Sequence, residues 1–268
     1  LQSIGKEPGL PESDTLPEFF GRLSTARTSG LLLDYDGTLA PFHLERHRAY
    51  PYPRVLPLIE SIVQAGKTRV VIVTGRPAVE AKALLSPLDN LEIWGAHGIE
   101  RMLPDGSYRQ IDIDPETAEL LSLAKERVIE AGLISLAEFK PGGIAIHWRG
   151  MTDGEAGRVE ARLVEGWTPL VEHPGLKLLE FESGLELRVV SPDKGDAVAA
   201  VIAESDPDAQ IAYLGDDLTD EDSFRELNGR GLTVLVRPEY RETSAKLWLK
   251  PPYELIGFLE QWLSCIST

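Results

Sequence analysis

Four short apolar runs, each too brief for a helix and each followed by a polar or turn-forming cluster, constrain this chain most. They occupy residues 31–33, 70–73, 211–214 and 232–236, with residues 91–94 as a weaker fifth. Runs of this length read as strands buried on both faces. Between the first two, Val55, Leu58, Ile59 and Ile62 recur at helical spacing within residues 53–65, and Gly66 follows as a helix stop. Buried strands alternating with helices specify an α/β fold, a parallel sheet covered on both sides. A helix is expected over residues 16–25, and the first ten residues, with Gly5, Pro8 and Gly9, read as a loose lead-in.

The middle of the chain breaks this rhythm. Asp114-Pro115 is a helix cap followed by proline at the first helical position, and Leu120, Ala124, Val128 and Ala131 form an apolar stripe behind it. Residues 133–139 and 144–148 then read as a hairpin joined at Pro141-Gly142-Gly143. The unit repeats. Thr152 and Glu155 have capping-box spacing, Val159, Leu163 and Trp167 form a stripe, and residues 178–181 and 185–190 meet at Ser183-Gly184. A helix-strand-strand unit used twice implies a small sheet with helices on one face. The parallel rhythm returns near Lys194, so residues 104–190 read as an insertion into the first domain.

The polar clusters after the strands carry the chemistry. In Leu33-Asp34-Tyr35-Asp36-Gly37-Thr38 two carboxylates two residues apart leave a strand end, where an extended backbone points both to one side. An Asp-rich turn would use the same residues. Thr74-Gly75-Arg76 brings a hydroxyl and free N–H groups to a second strand end, a setting that can hold a phosphate oxygen. Gly215-Asp216-Asp217-Leu218-Thr219-Asp220 brings three more carboxylates to a third, and Asp216 and Asp217 together call for a cation or a nearby lysine. Oxygen ligands around a phosphate site favour Mg²⁺ over zinc, and the histidines at 43, 47, 97, 147 and 173 lack metal-ligand spacing. Lys194 opens a helix expected over residues 195–205, where a cation is misplaced unless an anion sits beside it.

Charge bounds the partners. With 27 basic and 43 acidic side chains, the net charge of −16 argues against nucleic acid or an anionic membrane surface as the main partner. A small anionic substrate would need a local positive device. Cys265 is the single cysteine, which excludes an intrachain disulfide, no apolar run approaches a membrane span, and residues 1–10 lack a signal-peptide layout. A soluble, cytoplasmic protein is the expectation.

Asp34-x-Asp36-Gly-Thr, Thr74, Lys194 and Gly215-Asp216-Asp217 follow the order of the four motifs of the haloacid dehalogenase (HAD) superfamily, which this constellation resembles. Within it, Leu33-Asp-Tyr-Asp-Gly-Thr-Leu39, Thr74-Gly-Arg76, Gly95-Ala-His-Gly98, Glu138-Phe-Lys140, His147-Trp-Arg149, Glu186-Leu-Arg188 and Gly215-Asp-Asp-Leu-Thr-Asp-Glu-Asp222 look like the trehalose-6-phosphate phosphatases. Members of that family often carry proline directly after the Glu-x-Arg triplet, where this chain has Val189. The resemblance implies a Rossmann-like parallel-sheet core in residues 1–103 and 191–268 with an inserted α+β cap domain in residues 104–190. It implies hydrolysis of trehalose 6-phosphate with Mg²⁺ as cofactor.

Carried over motif by motif, Asp34 is the nucleophile that becomes an aspartyl-phosphate, Asp36 the general acid and base, and Thr74 and Lys194 the phosphoryl holders. Mg²⁺ would be held by Asp34, the Asp36 backbone carbonyl and Asp216, with Asp217 and Asp220 further out; Asp220 could equally be a helix cap. Glu138, Lys140 and Glu186 would read the sugar, with Arg149 a weaker candidate. Arg76 fits either the phosphate site or a structural ion pair, and His97 either the cleft or a structural role. Trp94, Trp148, Trp167, Trp248 and Trp262 read as packing residues. A trehalose-phosphate synthase is a possible partner. Three alternatives stay open: another capped sugar phosphatase, a phosphosugar mutase, and a non-catalytic module that binds trehalose phosphate or a synthase.

Overall fold

The computed structural model describes residues 16–43, 45–181 and 183–267, so the expected lead-in lies outside the described residues. The first stretch runs α1 (Leu16–Thr25), β1 (Ser29–Leu33), α2 (Val55–Gln64), β2 (Thr68–Val73), α3 (Ala78–Leu84), β3 (Glu92–Gly95), β4 (Glu100–Met102) and β5 (Tyr108–Gln110). The second runs α4 (Pro115–Glu130), β6 (Ala137–Lys140), β7 (Gly143–His147), α5 (Asp153–Trp167), β8 (Leu176–Phe181) and β9 (Gly184–Val189). The third runs α6 (Lys194–Ala203), β10 (Gln210–Gly215), α7 (Glu221–Leu227), β11 (Leu232–Val236), β12 (Leu247–Leu249) and α8 (Tyr253–Ile266).

The first and third stretches share one sheet of order β12-β11-β10-β1-β2-β3-β4-β5, parallel from β12 to β3 and antiparallel at the β3-β4-β5 end. Period-two alternation sorts its residues between two cores. Leu31 and Leu33 face α1, α2 and α8, packing with Phe19, Ile59 and Trp262. Leu32, Val71 and Tyr213 face α6 and α7, packing with Val198, Val201 and Phe224. Helices on both faces explain why β1 and β11 are buried throughout. The strand pair β4-β5 was not anticipated. It is short, and all three residues of β5 are exposed, so it has no apolar signature, and the boundary expected at residue 104 falls in the turn between its strands.

The second stretch forms an antiparallel sheet of order β6-β7-β9-β8, two hairpins joined through their second strands. Ala124 and Val128 of α4 and Leu163 and Trp167 of α5 pack with Ile144, Ile146, Leu185 and Leu187 on one face. Both helix starts follow the local chemistry. The Asp114 carboxylate accepts from the Glu116 and Thr117 amides at 3.0 and 3.3 Å, and the Thr152 amide donates to Glu155 at 3.0 Å. The run at residues 133–139 is strand only from Ala137; Ile134–Leu136 make a 3₁₀ turn after Gly132, whose φ of 71° ends α4. A short apolar run does not encode that distinction. The five tryptophans pack as expected: Trp167 and Trp262 are fully buried, Trp94 nearly so, and Trp148 and Trp248 lie against the cores. Among the described residues no helix is long and apolar enough to cross a membrane.

Candidate active site

Strands β10, β1 and β2 are neighbours at the centre of the large sheet, so the polar clusters after them emerge side by side at its carboxyl edge. Open parallel sheets bind ligands at such an edge, next to their first strand. Asp34 leaves β1 with its amide donating to the Leu214 carbonyl at 2.9 Å. The chain turns at Gly37, whose φ is 83°; a Cβ there would lie 2.1 Å from Asp216 Oδ2, so only glycine lets Asp216 approach this loop. Asp36 is gripped at both oxygens by Arg76, through Nε at 2.6 Å and Nη2 at 2.5 Å. Arg76 is buried, its guanidinium over the Tyr35 ring, and its own amide donates to Thr74 Oγ1 at 3.1 Å. Arg76 therefore takes the ion-pair role of the two open to it in this conformation, and the Thr74 hydroxyl keeps its own proton to donate.

Lys194 enters from the first turn of α6. Its ammonium donates to Asp34 Oδ1 and Asp220 Oδ1, both at 2.7 Å. This resolves the misplaced cation, because the anions beside it belong to the protein itself. Asp193 caps the same helix by accepting from the Gly195 amide at 2.8 Å. Asp220 accepts from four donors: Lys194, the Tyr213 hydroxyl at 2.7 Å, and the Asp216 and Asp217 amides at 3.0 and 2.9 Å. It is therefore the organiser of its loop, more than the helix cap its position suggests. Arg241 braces the loop from outside by donating to the Asp217 carbonyl at 2.7 Å. No motif singled out Arg241.

Asp34, Asp216 and Asp220 are buried, and an oxygen from each lies within 4.8 Å of the others. Among the described residues Lys194 is the only cation paired with their carboxylates, Arg237 and Arg241 reaching only the Asp216 backbone carbonyl, at 3.3 Å. Burial lifts the Asp34 carboxyl to about 7; Lys194 pulls it down, while Asp220 and Asp36 push it up. Burial, then Asp34 and Asp220, hold Asp216 well above the usual carboxylate range. Burial works against the Lys194 ammonium, but Asp220 and Asp34 outweigh it and keep it charged. The cluster lacks positive charge. Asp34 Oδ2 is buried with no partner, pointing to a missing ligand, and the donors are hard oxygens throughout. These residues fit a divalent cation of the Mg²⁺ class. Asp217 is half-buried and lines the cleft beside this trio without joining it.

The polar face of the small sheet covers the site. Glu138 and Lys140 of β6, His147 of β7 and Glu186 and Arg188 of β9 share that face and line a cleft of about 630 Å³ with Asp34, Asp36 and Lys194. The volume is in the range of small-molecule sites. Lys140 Nζ lies 2.8 Å from Glu186 Oε1 and 3.9 Å from Glu138 Oε1. Glu138 also pairs with Arg46, which comes from the large-sheet side, and with His147 Nε2 at 3.0 Å. Arg149, exposed, donates to the His43 carbonyl at 3.3 Å across the cleft mouth. Arg46, His147, Lys177 and Arg188 are among the lining residues given no role from the sequence. Arg188 had a signal, since it alternates with Glu186 on one strand; Arg46 had none, because its loop has no periodicity.

His97 sits where the two sheets meet. Its φ is 58°, its amide donates to the Thr74 carbonyl at 3.0 Å, and its ring fills the space over Gly75, 2.6 Å from where a Cβ would stand. Nε2 lies 3.6 Å from Glu186. Burial, then Arg188, pushes its pKa down to about 3. The unfolded chain, with histidine near 6.5, then binds the proton that the fold rejects, so this stability is intact above about pH 6.5 and drains away toward pH 3. Over that window the loss amounts to roughly 4 kcal/mol. Thermal midpoints of wild type and His97→Asn, measured from pH 7 to 4, should diverge, with wild type falling more steeply; parallel curves would acquit His97.

The trehalose-phosphatase family profile matches residues 32–250. A Mycobacterium tuberculosis protein described as an uncharacterized glycosyl hydrolase is 30% identical over 96% of this chain, which spans 20% of that protein. A bifunctional trehalose-6-phosphate synthase/phosphatase of Thermoproteus tenax is 29% identical over 78% of this chain, with 28% of its own length matched. The chain thus spans between a fifth and a third of these relatives. The C-terminal domain of a Candida albicans trehalose-6-phosphate phosphatase superposes with a TM-score of 0.76 at 18% identity, covering 92% of this chain and 96% of that one, which shows a shared fold. The Rossmann-like α/β core expected from the motifs is that fold.

Proposed function

Because this chain belongs to the trehalose-phosphatase family, we propose that it is a phosphomonoester hydrolase that converts trehalose 6-phosphate to trehalose and phosphate. One observation carries the reading: Glu138, Lys140 and Glu186 face Asp34 and Lys194 across a single cleft, so sugar-reading groups and a phosphate-reacting group are presented to one ligand. Residues 104–190 are read as the cap that supplies selectivity, since the core groups address only phosphate. The Thermoproteus relative, named for both activities, supports a trehalose-phosphate synthase as the partner reaction.

In this reading Asp34 attacks phosphorus and forms an aspartyl-phosphate, which divides hydrolysis into two easier displacements. Asp36, once one of its oxygens leaves the Arg76 fork and carries a proton, protonates the departing sugar oxygen and then takes a proton from the water that attacks the acyl-phosphate. Lys194 and the Thr74 hydroxyl hold phosphoryl oxygens as charge develops on them. Mg²⁺, held by Asp34, the Asp36 carbonyl and Asp216, would supply positive charge against that developing negative charge. Asp220 and Arg241 keep Asp216 and Asp217 in place, and Asp217 lines the outer edge. On the cap, Glu138 and Glu186 accept from sugar hydroxyls and Lys140 donates to them; Arg149 closes over the mouth.

The test is phosphate release from trehalose 6-phosphate, sucrose 6-phosphate, glucose 6-phosphate and mannosyl phosphoglycerate, each with Mg²⁺ and with chelator, alongside thermal melts. Trehalose 6-phosphate should be preferred, and Mg²⁺ at a hundred times its dissociation constant should add about 2.7 kcal/mol to stability. Preference for another substrate overturns the trehalose reading, and a melt indifferent to Mg²⁺ overturns the cation assignment.

A further inference from the structure

Arg188 lies on β9 two residues beyond Glu186, on the same polar face, and is 3% exposed. Among the described residues no hydrogen bond or ion pair reaches its guanidinium, and Nε and Nη1 are buried with no partner. Its stem is fixed, because it pairs across the sheet with Gly143 and Lys177, and a Cβ on Gly143 would come within 3.1 Å of the Arg188 Cβ. The head therefore stands over the cleft it helps to line. A desolvated guanidinium with unmade hydrogen bonds is costly to the free protein, and such groups are retained where a ligand completes them.

The surrounding charge selects the ligand. Glu186, Asp193 and Asp222 draw on Arg188 from a distance without pairing with it, and Lys177 is the cation beside it. With three acids in that neighbourhood a second anionic group would gain little, whereas a neutral, hydroxyl-rich ligand offers the acceptors that Arg188, a donor only, requires. Glu186 accepts and Arg188 donates about 7 Å apart along one strand, a spacing suited to hydroxyls on opposite sides of one sugar ring. We propose that Arg188 is a specificity-determining residue that donates from Nε and Nη1 to hydroxyl oxygens of the sugar part of the substrate. This rests on the cleft taking a sugar phosphate, as read above. The competing role is a hydrated structural arginine, since a water-sized cavity of about 10 Å³ also adjoins it.

Arg188→Met and Arg188→Lys separate the two roles through three readouts: KM and kcat on the best sugar phosphate of the panel, the inhibition constant of inorganic phosphate, and the ligand-free melting temperature. We expect Met to raise KM at least about tenfold with kcat held within about threefold. Lys, which keeps the charge and loses the fork, should lie between Met and wild type. The phosphate inhibition constant should stay constant, and the melting temperature of the Met variant should equal or exceed that of wild type, because an unpaired buried charge is gone. An unchanged KM, a phosphate constant that moves with KM, a lower melting temperature or failure to fold each assigns Arg188 to the scaffold and overturns the proposal. If wild type prefers a sugar phosphate other than trehalose 6-phosphate, the substrate reading fails while this comparison proceeds on the preferred one.

Discussion

Asp34→Asn should lower turnover of the sugar phosphate by at least about 10⁴-fold, because an amide cannot form the acyl-phosphate on which both displacements depend. The fold should survive intact. Asparagine is isosteric, its carbonyl oxygen can still accept the 2.7 Å hydrogen bond from Lys194, and it replaces a carboxylate whose ionised form burial already disfavours. The ligand-free melting temperature should therefore match or exceed that of wild type, while the response to Mg²⁺ weakens because a charged ligand has been lost. Initial rates, circular dichroism and melts with and without Mg²⁺ examine all three. Turnover within about tenfold of wild type would falsify the nucleophile assignment.

Lys194→Met should damage stability and activity together. The ammonium is the one cation paired with a carboxylate of the Asp34, Asp216 and Asp220 cluster among the described residues, and its removal leaves three buried carboxylates facing one another. Removing one partner of a buried pair costs about 3–5 kcal/mol. For a chain of this size that lowers the melting temperature by roughly 10 °C. The sign with pH follows from the carboxyls. Without the lysine the folded values of Asp34 and Asp216 rise further above the unfolded ones, so protonation favours the fold and the deficit is largest at high pH, shrinking as pH falls. Mg²⁺ should restore part of the stability but little of the turnover, which should be lower by about 10²–10³-fold because a phosphoryl donor is missing. Calorimetry in chelator from pH 5 to 8 decides it: a variant as stable as wild type throughout would show that the cluster does not depend on this lysine.

Local sequence made much of this architecture legible. The runs at 31–33, 70–73, 211–214 and 232–236 are strands because each is bounded by turn-forming residues and alternates with a helical stretch, and the caps at Asp114 and Thr152 form because their partners are two or three residues away. The clusters at Asp34, Thr74 and Asp216 were legible for the same reason, since a polar cluster after a buried strand has nowhere to go but the edge of the sheet. Other features left no such trace. Strand β5 is polar and exposed, the residue 134–136 turn resembles a strand in composition, and Arg46 belongs to a loop without period.

What the sequence determined by itself was the set of elements and the chemical kinds of group at their ends, because strand and helix periodicity, caps and turns act over a few residues. Tertiary structure decided which of those groups meet. Asp34 and Lys194 are 160 residues apart and Asp36 and Arg76 are 40, yet each pair shares a hydrogen bond because strand order places their elements together. That order is also what fully satisfies Asp220, gives Arg76 to Asp36, and buries Arg188 with its donors unmade. Long-range pairing and desolvation depend on the whole packed chain, and no local stretch of sequence contains either.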